Sequence, residues 1–404
     1  MAKKFIIIGG GAAGFFAAIN AAEMYPDLEV TILEGGKNVL QKVKVSGGGR
    51  CNVTHACFTP NELIEFYPRG KKELRGPFHQ FMTGDTMEWF ENRGVPLKIE
   101  DDNRVFPESN SSQTIVDCFL ESAKNAGVKV QTSTRVDSIE KIEEKFVIKT
   151  NAEEFIADYL LVATGSNSKV WEMVENLGHT IVEPAPSLFT FNIFDNRIKE
   201  IPGISVPKAT VKVLNSKLEA QGPLLITHWG LSGPSILKLS AWGALELYRK
   251  GYSFEIEVNW LSTNPETVLN ILKSIKTEQP KKQVIVRSVF KEIPKRLWEQ
   301  FVIAAEISTD AQWAQLSNKD LESLANQLAK CQFKVSGKSI FKEEFVTAGG
   351  IDLKEINFKR FESKLHKNLF FAGEVLNIDA ITGGFNFQNA WTGGWIVANS
   401  VSSD

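Results

Sequence analysis

Gly9, Gly11 and Gly14 form a G-x-G-x-x-G triplet directly after the apolar run Phe5 to Ile8, and Glu34 closes a second apolar run, Glu29 to Leu33. Each of these residue types has a physical task at this spacing. Gly9 permits a tight turn, Gly11 lets a diphosphate approach the backbone, and Gly14 lets the next helix pack close to the strand. The phosphates then meet free N–H groups and the positive end of a helix dipole. An acid at Glu34, about twenty residues on, can bind a ribose hydroxyl pair. The alanine-rich stretch from Ala12 to Ala22 favours the required helix. A secretory leader would also start with lysines and an apolar run, but glycine breaks this run after four residues. Strand, glycine turn, helix, strand and acid arrive in the order of a dinucleotide site.

The C-terminus selects the dinucleotide. Asn368 to Glu374 reads as a buried strand ending in Gly373-Glu374, and the turn Thr382-Gly-Gly-Phe-Asn386 opens a helix from Gln388 onward. Glu374 can hydrogen-bond ribityl hydroxyls, and a helix N-terminus can stabilise negative charge at flavin N1/O2. An extended FAD uses such contacts, whereas a simple NAD dehydrogenase has no need of them so far along the chain. No second G-x-G-x-x-G marks a separate NAD domain. The expected cofactor is FAD, with NAD(P)H or O2 as co-substrate.

Other residues could carry chemistry. Ser46-Gly-Gly-Gly49 offers successive unshielded N–H groups to a flavin edge or a phosphate. Arg50 could neutralise cofactor or substrate charge, or simply form an ion pair. Cys51 could take part in flavin redox chemistry, although packing is the commoner fate of a free cysteine. His228, in Thr-His-Trp-Gly, could act as acid or base or could fix a turn. Arg104, in Arg-Val-Phe-Pro, is a candidate anion clamp. These three, Cys51, His228 and Arg104, are the catalytic candidates.

The elements that must position them are those of an α/β protein. The chain has 404 residues, enough for two or three domains. Ser112 is expected to cap a helix with apolar face Ile115, Val116, Phe119, Leu120 and Ala123, followed by a third parallel strand at Val128 to Thr132. Tyr159 to Gly165 reads as a buried strand running into a Thr-Gly turn. Residues 188–265 then show β-type runs, residues 266–339 show helical periodicity, and the last forty or so return to the opening style. The expected architecture is a split Rossmann-like FAD-binding domain, 1–187 with 358–404. A β-barrel-like insert takes 188–265 with 340–357, and a small helical insert takes 266–339.

Composition bounds the partners. The formal charge of −2 and the absence of a basic stripe argue against nucleic acid, including tRNA, held by clustered Lys or Arg. No apolar run reaches the roughly eighteen residues that span a bilayer. The four cysteines, Cys51, Cys57, Cys118 and Cys331, show neither a C-x-x-C pair nor metal-ligand spacing with the five histidines. This pattern indicates a reduced, cytoplasmic protein with no metal and no membrane partner, acting on a small molecule.

Lys42-Val-Lys-Val-Ser-Gly-Gly-Gly-Arg-Cys-Asn52, Thr227-His-Trp-Gly-Leu-Ser-Gly-Pro234, Val346-Thr-Ala-Gly-Gly-Ile351 and Phe371 to Asn386 resemble the BaiN-like bacterial flavoproteins, also called the aminoacetone oxidase family. The resemblance spans essentially the whole chain. It implies a glutathione-reductase-like FAD domain with a β-barrel and a small helical insert. The chain departs from many members at Leu40-Gln41, where they carry Gly-Arg, and at Asn103, where they carry glycine; the departures bear on a subgroup-specific substrate, not on FAD binding. The expected cofactor-binding set is Gly9, Gly11, Ala12, Ala13, Gly14, Glu34, Gly35, Lys42, Ser46, Gly48, Gly49, Arg50, Cys51, Asn52, Val136, Ala163, Thr164, Gly165, Gly373, Glu374, Asp379, Gly384, Phe385 and Asn386. The expected function is hydride transfer at flavin N5. The alternative is an FAD-binding redox sensor with little turnover.

Overall fold

A computed structural model describes residues 2–339 and 346–401. The chain divides into two compact units, Met1–Ala185 with Val346–Asp404, and Pro186–Phe345.

The first unit is built on a parallel sheet. Strand β1 (Lys4–Ile8) leads into helix α1 (Ala12–Met24) and strand β2 (Glu29–Leu33). A small antiparallel sheet follows, made of β3 (Thr54–His55), β4 (Leu97–Ile99) and β5 (Arg104–Pro107). Strand β6 (Lys129–Gln131) rejoins the main sheet. A three-stranded meander of β7 (Val136–Ile142), β8 (Lys145–Thr150) and β9 (Glu154–Ala157) precedes β10 (Tyr159–Val162). The strand Leu369–Phe371 pairs parallel to β10. The parallel order is therefore β6, β2, β1, β10, Leu369–Phe371, extended at one edge by the antiparallel pieces Glu362–Ser363 and Ile356–Asn357. Four of the five residues in β1 and in β2, and all of β10, are buried, as expected for strands covered on both faces.

Helix α1 is apolar nearly all round because it is covered on more than one side. The C-terminal helix Phe385–Ser400 lies against it so closely that a Cβ on Gly394 would sit 2.8 Å from the Ala13 carbonyl oxygen. An aromatic cluster fills the space beyond, with Phe16 4.6 Å from Trp89 and Phe119 5.4 Å from Trp391 between ring centroids. The C-terminal helix begins three residues earlier than Gln388, at Phe385, because Gly384 adopts the left-handed conformation that starts it. The helix Ser112–Asn125 is capped by Ser111 rather than Ser112, the Ser111 hydroxyl accepting from the Gln113 N–H.

The second unit contains a seven-stranded antiparallel sheet in the order Cys331–Ser336, Ser253–Asn259, Ser205–Val213, Glu219–Thr227, Gly230–Ser232, Thr190–Asn192, Lys338–Ser339. Its two outer strands are consecutive in the chain, joined only by Gly337, so the sheet curls back toward its own start in a barrel-like manner. Helices Pro265–Glu278, Lys295–Ala304 and Asn318–Ala329 share one hydrophobic cluster with it. Two sequence assignments change. Cys331–Ser336 and Lys338–Ser339, placed with the helices, are strands, their alternating pattern too short to stand out beside the helix before it. Val346–Asn357, placed with the barrel, falls in the first unit, where Val346–Ile351 pairs with Ile181–Ser187 and Ile356–Asn357 extends the main sheet. Residues 340–345 of that assignment lie outside the described residues.

A buried polar knot ties the edge of the main sheet. The fully buried side chain of His179 donates from Nδ1 to Glu355 at 2.8 Å, and its Nε2 accepts from the Ser363 hydroxyl at 2.9 Å. The Leu365 and His366 N–H groups occupy the Ser363 oxygen from the other side. Every partner is satisfied with the imidazole neutral and Glu355 ionised. Burial lowers the His179 pKa below its ordinary value of 6.5, and the backbone and His179 hydrogen bonds, outweighing desolvation, lower that of Glu355. A depressed histidine contributes stability above its unfolded value and loses it as pH falls through the folded one. The unfolding midpoint is therefore expected to drop on acidification from about pH 7 to about pH 5.5, and to drop less in His179→Gln; equal slopes in urea or thermal melts would refute the assignment.

Candidate functional site

Strand order in the main sheet reverses direction between β1 and β10: the chain runs from β1 to β2 and β6 on one side, and continues with β10 and Leu369–Phe371 on the other. Ligands of open α/β sheets bind beyond the carboxyl ends of the strands at such a point. Gly9 leaves β1 there and Ala163-Thr164-Gly165 leaves β10. A Cβ on Gly9 would come within 2.5 Å of the Ala163 oxygen, and one on Gly14 within 2.1 Å of the Gly9 oxygen. Gly11 is the opposite case. Its Cβ position has nothing within 4 Å, and it caps α1 without any side-chain hydrogen bond. Open space thus faces the N–H groups at the start of α1, with Ala12 and Ala13 in its first turn. Such a terminus favours a phosphate.

Glu34 is held ready beside it. One carboxylate oxygen accepts from Gly10 N–H at 2.8 Å and the other from Gly36 N–H at 2.7 Å. Each oxygen keeps a further lone pair for a ribose hydroxyl. The Glu34 carbonyl accepts from Thr134 N–H at 2.8 Å. A Cβ on Gly35 would stand 3.8 Å from the Arg135 Cα, which brings Val136 to the same end.

A second group forms around Glu374. Its carboxylate pairs with the Lys42 ammonium and accepts from Thr347 N–H at 3.1 Å. Gly165 adjoins both, its Cβ position 3.4 Å from the Glu374 carboxylate, and Gly373 packs on Ala13. Lys42, Gly165, Gly373 and Glu374 are therefore assembled from three distant parts of the chain.

A third group joins the glycine loop to the C-terminal helix. Gly47, Gly48 and Gly49 all have positive φ, and the Cβ positions of Gly48 and Gly49 face open space. Ser46 is tied down by its hydroxyl bond to the Val43 carbonyl at 2.8 Å. Gly384 approaches Thr54 so closely that a Cβ would meet its backbone at 2.7 Å. Thr54 and Thr86 hydroxyls donate to Gln388, and Trp391 Nε1 donates to the Val53 carbonyl at 2.9 Å. Asn386 spans its own turn, accepting from Ala380 N–H at 3.0 Å and donating to the Ala380 carbonyl at 3.2 Å. No side chain caps the helix at Gly384, so the N–H groups of its first turn have no side-chain acceptor there. The buried Asn52 Oδ1 and Thr164 Oγ1 have no hydrogen-bond partner among the described residues. Orphaned polar atoms at two expected cofactor positions, together with the open glycine cradles, fit a polar ligand such as FAD.

The remaining candidates sit as follows. Cys51 is fully buried and burial pushes its thiol up to about 12, so it is neutral at physiological pH. Arg50 bonds Glu100 at 2.6 Å and lies 3.9 Å over the Phe106 ring. Arg104 bonds Asp102 at 2.7 Å and reaches Glu100 at 3.6 Å, so an anion bound there competes with existing carboxylates. Asp379 is wholly buried and grips Arg69 with both oxygens, which ties the 378–385 turn to a segment 310 positions earlier in the chain. His228 lies in the exposed turn between Glu219–Thr227 and Gly230–Ser232 of the second unit. Among the described residues no cluster of three or more metal-ligating side chains occurs, and no helix is long and apolar enough to cross a membrane.

Several neighbours of the turn carried no sequence signal. Tyr67 donates its hydroxyl to the Phe385 carbonyl, Phe66 stacks on Phe385 at 4.3 Å, and His55 contacts both rings. His55 Nδ1 donates to the Gly383 carbonyl at 3.2 Å, and burial lowers its pKa. They come from a stretch without motif or clean periodicity; only the adjacency of His55 to the Arg-Cys-Asn string could have flagged one.

The glycines give a clean contrast. Gly11→Val adds bulk only to empty space, so the fold should keep its melting temperature while dinucleotide occupancy falls at least tenfold. Gly14→Val drives carbon into the Gly9 carbonyl and should lose soluble folded protein. Retention of full occupancy in Gly11→Val, read from absorbance per chain, would refute the placement.

The model of the HI0933-like protein Rossmann domain matches residues 3–400. The chain is 29% identical to the ribosomal RNA dihydrouridine synthase of Haemophilus influenzae over 98% of both chains. It is 26% identical to the 3-dehydro-bile acid delta(4,6)-reductase of Clostridium scindens, again over 98% of both. Its fold is similar to that of the 3-ketosteroid-delta4-(5alpha)-dehydrogenase of Rhodococcus jostii, with a TM-score of 0.51 at 12% identity over 98% of this chain and 96% of that one. With its Rossmann-type FAD-binding fold, the chain belongs to the HI0933-like Rossmann domain family.

Proposed function

We propose that the protein is an FAD-dependent oxidoreductase that saturates a carbon–carbon double bond conjugated to a carbonyl, with NAD(P)H as electron source. The observation that carries the flavin in this reading is the pair of helix N-termini, at Gly11 and Gly384, that no side chain caps within one unit. One suits a diphosphate, the other the electron-rich pyrimidine end of a flavin. The two relatives' names support the direction, since a dihydrouridine synthase and a delta(4,6)-reductase each reduce such a bond.

Bound here, FAD would supply two-electron exchange at N5. The chain's own residues would do the rest. The start of α1 would hold the diphosphate, Glu34 the adenosine ribose, and Glu374 the ribityl hydroxyls. The free N–H groups at Phe385, Asn386 and Phe387 would favour negative charge near N1/O2 by about 0.3–2 kcal/mol, which raises a two-electron potential by up to about 40 mV. Ser46, Gly48, Gly49 and Asn52 would line another part of the ring site. Cys51, kept neutral by burial, would pack rather than react.

A small organic substrate is the first reading, supported by the net charge of −2. The relative named as acting on ribosomal RNA favours a second, uridine in RNA. Anaerobic titration with NADH and NADPH tests the function. Bleaching of the flavin band by either, reversed by an enone or by uridine-containing RNA, is expected. Reduction by a substrate with reoxidation by O2 and release of peroxide would indicate an oxidase instead. A flavin that no nicotinamide or substrate alters would leave only the redox-sensing alternative.

A further inference from the structure

A cleft of about 500 Å³ opens beside the start of the C-terminal helix, lined by His55, Ala56, Phe58, Phe66, Glu62 and Asn103 among others. It adjoins the turn placed against the cofactor, since His55, which lines it, donates to the Gly383 carbonyl at 3.2 Å. Its wall is aromatic: His55 and Phe66 line it, and both rest on the buried Phe385 ring behind them, at 4.5 and 4.3 Å between centroids. Phe58, at the same cleft, is 54% exposed. An aromatic wall with an exposed ring beside it is a surface on which a flat ring can stack.

The cleft also has a polar edge. The Ala56 N–H donates to the Asn103 carbonyl at 2.7 Å, and β3 pairs with β5 here, His55 opposite Arg104. Asn103 has φ 64°, a backbone conformation in which glycine is least strained. Asparagine at this position adds a carboxamide, donor and acceptor together, at the margin of the aromatic wall. Among the described residues no lysine or arginine lines the cleft, and the two carboxylates that do, Glu62 and Glu65, are acidic.

We infer that this cleft admits the reacting ring of the substrate: a flat, uncharged ring bearing a carbonyl, stacked on the His55–Phe66 wall and held at its carbonyl edge by Asn103. The inference rests on the oxidoreductase reading and makes Asn103 a specificity-determining residue. A free cyclic enone and the uracil base of RNA share this chemistry.

The test uses calorimetry on FAD-loaded protein with three probes: cyclohex-2-enone, uridine and a uridine-containing oligonucleotide. At least one should bind. Asn103→Gly relieves backbone strain, so it should fold and keep FAD, yet weaken binding about threefold to tenfold, the worth of one hydrogen bond. Ala56→Trp fills the cleft and should abolish binding without changing reduction by NAD(P)H. An oligonucleotide bound more than tenfold tighter than uridine assigns the ring to RNA; preference for the enone assigns it to a free compound. Binding that neither variant alters, or no binding by any probe, overturns the inference. If FAD does not load, the functional reading fails, and calorimetry on the protein as purified still decides the cleft.

Discussion

Backbone approaches too close for any side chain hold the dinucleotide half of this protein together. Gly14 brings α1 onto the turn after β1, and Gly394 brings the C-terminal helix onto α1, each at a separation a Cβ would violate. The two contacts stack strand, helix and helix in one column. They also bring two helix N-termini to the first unit although some 370 residues separate them in sequence. Packing density in such a column transmits small displacements. A carbon inserted at either glycine would therefore be felt at both helix starts.

The second constraint is polar. Asp379 and Arg69 form a bidentate pair with the carboxylate fully buried, while Tyr67 and Asn386 bond the backbone of the same turn. A buried pair of this kind adds little net stability against a hydrophobic substitute, but breaking it strands a charge and costs several kcal/mol. Its service here is geometric: it fixes the turn that aims the N–H groups of Phe385 to Phe387. Asp379 thus acts on the site through the turn it secures.

What was legible in the sequence follows from range of interaction. The first β-α-β unit is local, and its glycines and Glu34 fall where the spacing placed them. The return of the C-terminus to the same sheet was also readable, because the Gly-Glu strand end and the glycine turn are local signals with one purpose. The wall of His55, Phe66 and Tyr67 was not readable, since it depends on segments that meet Phe385 only through tertiary packing. Short strands were misassigned for a similar reason. Cys331–Ser336 takes its conformation from pairing with Ser253–Asn259, some eighty residues away, and Ile356–Asn357 from the sheet edge it extends.

The central claim is that the open turn at Gly11 and the uncapped start of the C-terminal helix hold the two ends of one FAD molecule. It is tested most directly by denaturing the purified protein and separating what it releases by chromatography. The account predicts one FAD per chain, present on purification or after reconstitution. FMN alone would leave the diphosphate and ribose groups at Gly11 and Glu34 without a ligand, and no flavin even after reconstitution would contradict the account outright.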